Sequence, residues 1–363
     1  MEKYYIAALC TVNQLGVKRV QALIRKFGSA KNVWNMSNED LKISGLPTSV
    51  FEALINLKIK NPDCPEKIME FCESKDVGLC SIVDEDYPPI LKEIQSPPPV
   101  FYYRGILQTN VERIGMVGTR NSTQYGAKVA FEIAAELSAA GVTIVSGAAR
   151  GIDTHSHRGA LKNGRTVAVL GCGINFVFPR ENKKLLDEIA ESGGLVMTEF
   201  EPNQSPNATT FPPRNRIIAG LSRGVIVVEA GKKSGALITS DFAGDYGREV
   251  FAVPGSIFSP VSAGCHEIIK DGAKLITNAQ DVFDFFKIQA AEDETEKVPQ
   301  KIFVELEGDE KKIFDVIPAG EFITTDEILD KVEDIESSEI SQHLLNLQLK
   351  KLIVEDSGRY SRS

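Results

Sequence analysis

The feature that most constrains the fold is an alternation between Arg113 and Val253. Short apolar runs at Ile114–Val117, Val142–Val145, Thr166–Leu170, Leu195–Met197, Val225–Val228 and Glu249–Val253 have strand length. Several are separated by stretches of helical periodicity, such as Tyr125–Ala139 and Lys183–Glu191. Runs apolar at every position are strands buried on both faces, and strands alternating with helices imply a parallel, doubly wound α/β sheet. In such a sheet the ligand crevice lies beyond the carboxyl ends of the strands.

The unusual residues fall at those ends. The loops GTRNSTQYG (from Gly118), SGAARGIDTHSH (from Ser146), GCGINFVFPREN (from Gly171), EFEPNQSPNATTFPPRNR (from Glu199) and EAGKKSGALITS (from Glu229) follow five successive strands. They bring Gly118, Gly147, Gly171, Gly173 and Gly235, which let backbone approach a ligand, and Arg120, Arg150, Arg214 and Arg216, whose planar forks match phosphate oxygens. One arginine of this kind is usually structural, paired here with Asp153, Glu199 or Glu229. Four at one edge favour a phosphate site. Phe176, Phe178 and Phe211 lie beside them, and an aromatic next to an arginine suits single-stranded nucleic acid, although each ring also fits as a plug of the sheet end.

Other chemistries fit less well. The first turn lacks GxGxxG and the second strand ends in Ser146-Gly147, against a nicotinamide cofactor. GKKSG at Gly231 is not a P-loop, because Ile226 stands where the first glycine belongs. Asp153, His155 and His157 tempt a metal reading, but His266 and His343 stand apart and no second cluster completes a site. Ser234, Thr239 and Asp241 have no histidine to activate a nucleophile. No cofactor, no metal and no enzymatic activity are therefore expected.

The flanks differ from the centre. Residues 1–60 hold nine Lys/Arg against four Asp/Glu, whereas residues 301–363 hold eight against fifteen. LGVKRVQALIRKFGS and LKISGLPTSVFEALI each set an apolar-Gly turn, at Gly16 and Gly45, before an amphipathic helix. They read as a pair of helix-hairpin-helix units, or equally as a small bundle whose glycines cap helices. SPPPVFYYRG from Ser96 marks an entry segment. The polar stretch after residue 287 reads as an acidic linker. Helices near Glu310–Val316, Thr325–Val332 and Ser338–Lys351, then a turn at Ser357–Gly358, read as a winged helix. Glu333, Asp334, Glu336 and Glu339 crowd its third-helix region, leaving Lys350, Lys351, Arg359 and Arg362 as a small basic corner, so it is expected to bind protein or regulate the core instead of gripping DNA.

The whole chain, 363 residues with a formal charge of −9, is no uniformly basic coat. It has no run of 18 apolar residues, so no membrane partner is expected. Six scattered cysteines without a CxxC pair, and an N-terminal apolar run too short for a leader, point to the cytoplasm.

Taken in order, GTRNSTQYG, SGAARGIDTHSHRGAL, GCGINFVFPREN, FPPRNRIIAGLSRGVIVVEA, SGALITSDFAGDYGREVFAVPGS and GCHEIIKDGAKLI resemble the DNA processing protein A (DprA/Smf) family. The resemblance implies an extended Rossmann-like domain at 66–287, between a helix-hairpin-helix domain at 1–65 and, after a linker at 288–307, a winged helix at 308–363. It implies a non-enzymatic protein that binds and shields incoming single-stranded DNA in natural transformation and helps load RecA, as a homodimer, with single-strand-binding protein a further partner. Its binding edge would comprise Gly118, Thr119, Arg120, Ser146, Gly147, Arg150, Gly151, Gly171, Gly173, Phe178, Arg214, Asn215, Arg216, Ser234 and Gly235. His155, where a small residue is usual, and Phe178, where Tyr is common, are mild departures. The same Rossmann variant also resembles the nucleoside-monophosphate phosphoribohydrolases, but their PGGxGTxxE motif is absent; Asp241 falls near its catalytic carboxylate.

Overall fold

The computed structural model describes residues 1–12, 14–288, 308–318, 322–332, 335, 337–349, 352–356 and 358–362. It divides into two units, Met1–Glu292 and Asp293–Ser363.

The first unit is built on nine strands: β1 (Gly78–Ser81), β2 (Val100–Gly105), β3 (Arg113–Val117), β4 (Thr143–Ser146), β5 (Thr166–Val169), β6 (Leu195–Thr198), β7 (Gly224–Val227), β8 (Glu249–Ala252) and β9 (Lys274–Leu275). Their order is β1-β2-β6-β5-β4-β3-β7-β8-β9. Strands β3 to β9 pair in parallel, and every residue of β3 through β7 is buried, the polar ones at the strand ends included. The chain steps outward from β3 to β6, then returns to the other side of β3 as β7, which makes a switch point between β3 and β7.

Three strands escape the sequence reading. β2, expected only as an entry segment, pairs antiparallel with β6, Tyr102 opposite Thr198. Its prolines precede the strand, and Phe101, Tyr102 and Tyr103 favour the pleated backbone. β1 and β9 are short edge strands. A second correction concerns residues 199–216, expected as one long loop. Phe211–Leu221 is a helix that carries Pro212 and Pro213 in its first turn, where a missing N–H costs nothing.

Six helices precede the sheet: Glu2–Cys10, Gly16–Phe27, Ala30–Asn35, Asn38–Lys42, Thr48–Lys60 and Cys64–Lys75. Gly16 and Gly45 both take positive φ, +54° and +79°, at the turns expected of them. The helices share one apolar core with the sheet: Ile6, Leu9, Leu23 and Leu54 belong to the same cluster as Ala148, Leu170 and Val196.

The second unit has helices Gly308–Val316, Thr325–Leu329 and Ser337–Leu349 and an antiparallel sheet of β10 (Ile323–Thr324), β11 (Ile353–Asp356) and β12 (Arg359–Arg362), ordered β10-β12-β11. Ile313, Ile328, Leu344 and Ile353 form its core. Thr324 and Glu327 close a capping box at the second helix. Glu339, Ser341, Gln342, Leu345 and Asn346 are exposed on the third helix, with no cation among them. Most of the expected acidic linker (289–307), with Glu333, Asp334, Glu336, Lys350, Lys351 and Ser357, lies outside the described residues. Among the described residues no helix is long and apolar enough to cross a membrane.

Candidate functional site

A cavity of about 680 Å³ opens at the switch point, above the carboxyl ends of β3 and β7. Three segments supply most of its lining, with Ala149, Asp153, Phe178 and Pro206–Ala208 completing it. The turn after β3 supplies Gly118, Thr119 and Arg120; helix Phe211–Leu221 supplies Phe211, Arg214 and Asn215; and Ser234 with Gly235 begin helix Gly235–Asp245. Ser234 caps that helix by accepting from the Ala236 N–H (3.3 Å), and Asn215 Nδ2 donates to the Gly235 carbonyl (3.1 Å). A Cβ at Gly235 would meet nothing within 4 Å, so this backbone faces open space at the positive end of a helix. Behind the first turn, the buried carboxylate of Glu229 accepts from the Thr123 N–H (2.9 Å) and hydroxyl (2.5 Å), fixing where the next helix starts.

Phe211 is the centre of the wall. The Arg120 guanidinium lies 5.4 Å from its ring centroid, that of Arg214 5.9 Å, and the Phe178 ring 5.4 Å. Arg120 is exposed and has no carboxylate partner among the described residues. Phe178 remains 42% exposed, so one aromatic face stays available. The peptide bond between Phe178 and Pro179 is cis.

Arg214 behaves differently. It is buried, and its Nη1 donates to the carbonyls of Gly147 (2.6 Å) and Val169, while Nε donates to Asn215 Oδ1 (3.2 Å). Burial lowers its pKa to about 10, against the opposing pull of Asp153. The same burial raises the pKa of Asp153, with Arg214 and the Ala149 N–H (3.2 Å) opposing. Arg214 therefore fastens the floor of the crevice through these carbonyls, and its positive charge favours the ionised form of buried Asp153. His157, from the motif that tempted a metal reading, is buried and lines neither cavity. Its Nδ1 lies 2.6 Å from Thr166 Oγ1, whose own proton goes to the Ile144 carbonyl (2.8 Å), so Nδ1 is assigned as the donor. Burial, then the charge of Arg214, lowers the His157 pKa to about 3.

A second cavity of about 350 Å³ adjoins the first, lined by Gly147, Arg150, Arg180 and Glu181, and shares Arg120, Phe178, Phe211 and Arg214 with it. Arg150 pairs with Glu181 there. Ten of the expected site residues thus come together around the two cavities, and Ser146, Gly151, Gly171, Gly173 and Arg216 line neither. Ser146 Oγ donates to the Met116 carbonyl (2.6 Å), and Arg216 donates two hydrogen bonds to Glu199 (2.9 and 2.5 Å).

The glycines mostly serve the protein itself. A Cβ at Gly147 would sit 2.7 Å from the Arg214 guanidinium, and one at Gly171 would sit 2.5 Å from the Phe211 ring. At Gly118, Gly151 and Gly173 the space is likewise filled by this chain's own atoms. Arg180 and Asn207 also line the cavities without having been expected at the site, as does Thr239, weighed above only as a nucleophile. Arg180 carried a signal in its place beside the Phe178-Pro179 pair, and Asn207 carried none.

With this geometry in hand, known proteins are informative. A family model described as DNA recombination-mediator protein A matches residues 78–287. DNA processing protein DprA of Bacillus subtilis is 42% identical over 280 residues, covering 76% of this chain and 93% of that protein. DprA of Streptococcus pneumoniae is 46% identical over 209 residues, covering 57% and 73%. Its crystal structure superposes with a TM-score of 0.67 at 36% identity, over 78% of this chain and 98% of that one. A Helicobacter pylori DNA processing protein A structure, described for its single-stranded DNA binding mode, gives a TM-score of 0.52 at 29% identity, over 58% and 95%.

Proposed function

This chain belongs to the DNA recombination-mediator protein A family, and from that premise we propose that its crevice grips single-stranded DNA, shields incoming strands and helps load RecA during natural transformation. The observation that carries the reading is the group at Phe211: an exposed arginine without a carboxylate partner, two aromatic rings and an open helix N-terminus around one cavity. Cation and helix end suit phosphate oxygens, and the rings suit an unstacked base. A duplex keeps its bases stacked inside and offers the rings nothing. The net charge of −9 makes the local arrangement decisive.

The rest of the molecule is read to match. Residues 1–65 form the helix-hairpin-helix domain, 66–287 the Rossmann-like core, 288–307 the linker and 308–363 a winged helix that binds protein or regulates the core. The chain acts as a homodimer in the cytoplasm, with single-strand-binding protein as a further partner. An enzymatic reading has less support: Asp241 is exposed and outside the crevice, and Asp153, the carboxylate lining the larger cavity, is buried and accepts from the Ala149 N–H.

The test is fluorescence anisotropy with labelled single-stranded and duplex oligonucleotides over a salt series. Single-strand preference is expected, and Arg120→Ala should reduce the salt slope by about 1. Equal affinity for duplex, or indifference to Arg120, would overturn the proposal. Release of free base from adenosine monophosphate would favour the enzyme.

A further inference from the structure

We propose that the two cavities form a two-nucleotide groove, in which Arg180 and Arg150 hold the phosphate of the second nucleotide and Glu181 competes with that phosphate for Arg150. The inference rests on the single-strand reading above and extends it to a subsite. Both cavities have the size of small-ligand pockets, about 300–1,000 Å³, and they meet at the Phe178–Phe211 pair. A strand crossing this pair leaves one nucleotide on each side.

The two sides differ in chemistry. The larger offers Asn215, Ser234 and Thr239, groups that hydrogen-bond a base or sugar. The smaller offers arginine. Arg180 is exposed and has no ion pair among the described residues. Arg150 donates to Glu181, with 64% and 50% of the two side chains exposed. Pairs this exposed contribute little to stability, so a strand phosphate, whose oxygens suit the guanidinium fork, can displace the carboxylate. Glu181 is held below the usual carboxylate range by its hydrogen bond from Arg150, so it stays charged and competes. An anion entering the smaller cavity must therefore outbid one carboxylate, and a neutral ligand gains nothing by doing so.

The experiment displaces a labelled oligothymidylate from the full chain with thymidine monophosphate or with the phosphorylated dinucleotide pdTpdT. The readout is the ratio of the two affinities. The wild type should favour the dinucleotide roughly tenfold, the worth of one charge-assisted phosphate contact. Arg180→Ala should remove most of that ratio. Glu181→Gln should raise it severalfold, whereas Glu188→Gln, the same charge change on the helix that follows, should leave it unchanged. All three side chains are exposed, so the variants should keep the wild-type melting temperature. A ratio near one, a ratio insensitive to Arg180, or equal effects of Glu181→Gln and Glu188→Gln would overturn the subsite. Binding of the oligothymidylate with no such ratio would overturn the subsite alone; no binding of it at all would overturn the single-strand reading as well.

Discussion

The sheet carries arginines at both ends, and only one end is suited to a phosphate. At the amino ends of the strands a cavity of about 520 Å³ is lined by Arg113, Arg223 and Arg248 together with Glu93 and Glu112. Each arginine there is engaged. Arg223 pairs with Glu112 (3.2 Å) and covers the Phe286 ring at 4.6 Å, Arg248 pairs with Glu93 (2.8 Å), and buried Arg113 donates to the carbonyls of Gln108 and Thr109. Helices end at this side of a parallel sheet and begin at the other, so the dipole field opposes an anion here and attracts one at the crevice. Counting arginines would rate the two ends alike. What separates them is whether each guanidinium already has a partner and which helix ends surround it.

The comparison breaks most visibly at Arg214, the crevice arginine that resembles those below. Arg214→Ala leaves the buried carbonyls of Gly147 and Val169 without their donor and removes the charge that favours ionised Asp153, and should cost about 3 kcal/mol in urea denaturation. A loss under about 1 kcal/mol would show that Arg214 is free like Arg120. The buried charge should also show in pH dependence. His157 is neutral in the folded protein down to about pH 3, whereas the unfolded chain protonates near 6.5. Below that value the unfolded state binds the extra proton, so stability falls as pH drops, by about 2 kcal/mol between pH 6.5 and about pH 5. His157→Gln should flatten that part of the stability curve, and an unchanged slope would place the titrating group elsewhere.

Smaller effects sharpen the contrast in binding. Arg120→Ala should weaken single-strand affinity roughly tenfold, whereas Arg223→Ala at the opposite end should change it less than about twofold. Similar losses from both would show that the overall field, and not the crevice, governs binding. The smallest effect is expected from deleting residues 301–363, which remove more carboxylates than cations. Single-strand affinity should stay within about twofold, and a large loss would put the second unit in contact with DNA.

Much of this was legible in the sequence, for identifiable reasons. Strands β3 to β8 announced themselves because their middles are runs of apolar residues with no charged position among them. Helix Phe211–Leu221 did not, because prolines signal its absence everywhere except in the first turn. The Arg214-Asn215-Arg216 stretch shows the sharper limit. Residues two apart on a helix point to different sides, so one arginine enters the crevice floor and the other turns to Glu199. Nothing in the triplet says which. The glycines were noticed, but their reason was hidden: Gly147 and Gly171 make room for Arg214 and Phe211, neighbours that only the fold brings near.

The shared core of the N-terminal helices and the sheet sets an order of events during synthesis. Ile6 and Val196 belong to one apolar cluster, although about 190 residues separate them. A ribosome therefore releases the six helices long before β6 exists to cover them. Their apolar faces must wait, exposed or loosely collapsed, until the sheet is nearly finished. Completion of the crevice and burial of the N-terminal helices then become parts of a single late step, and a nascent chain stopped before residue 196 has neither.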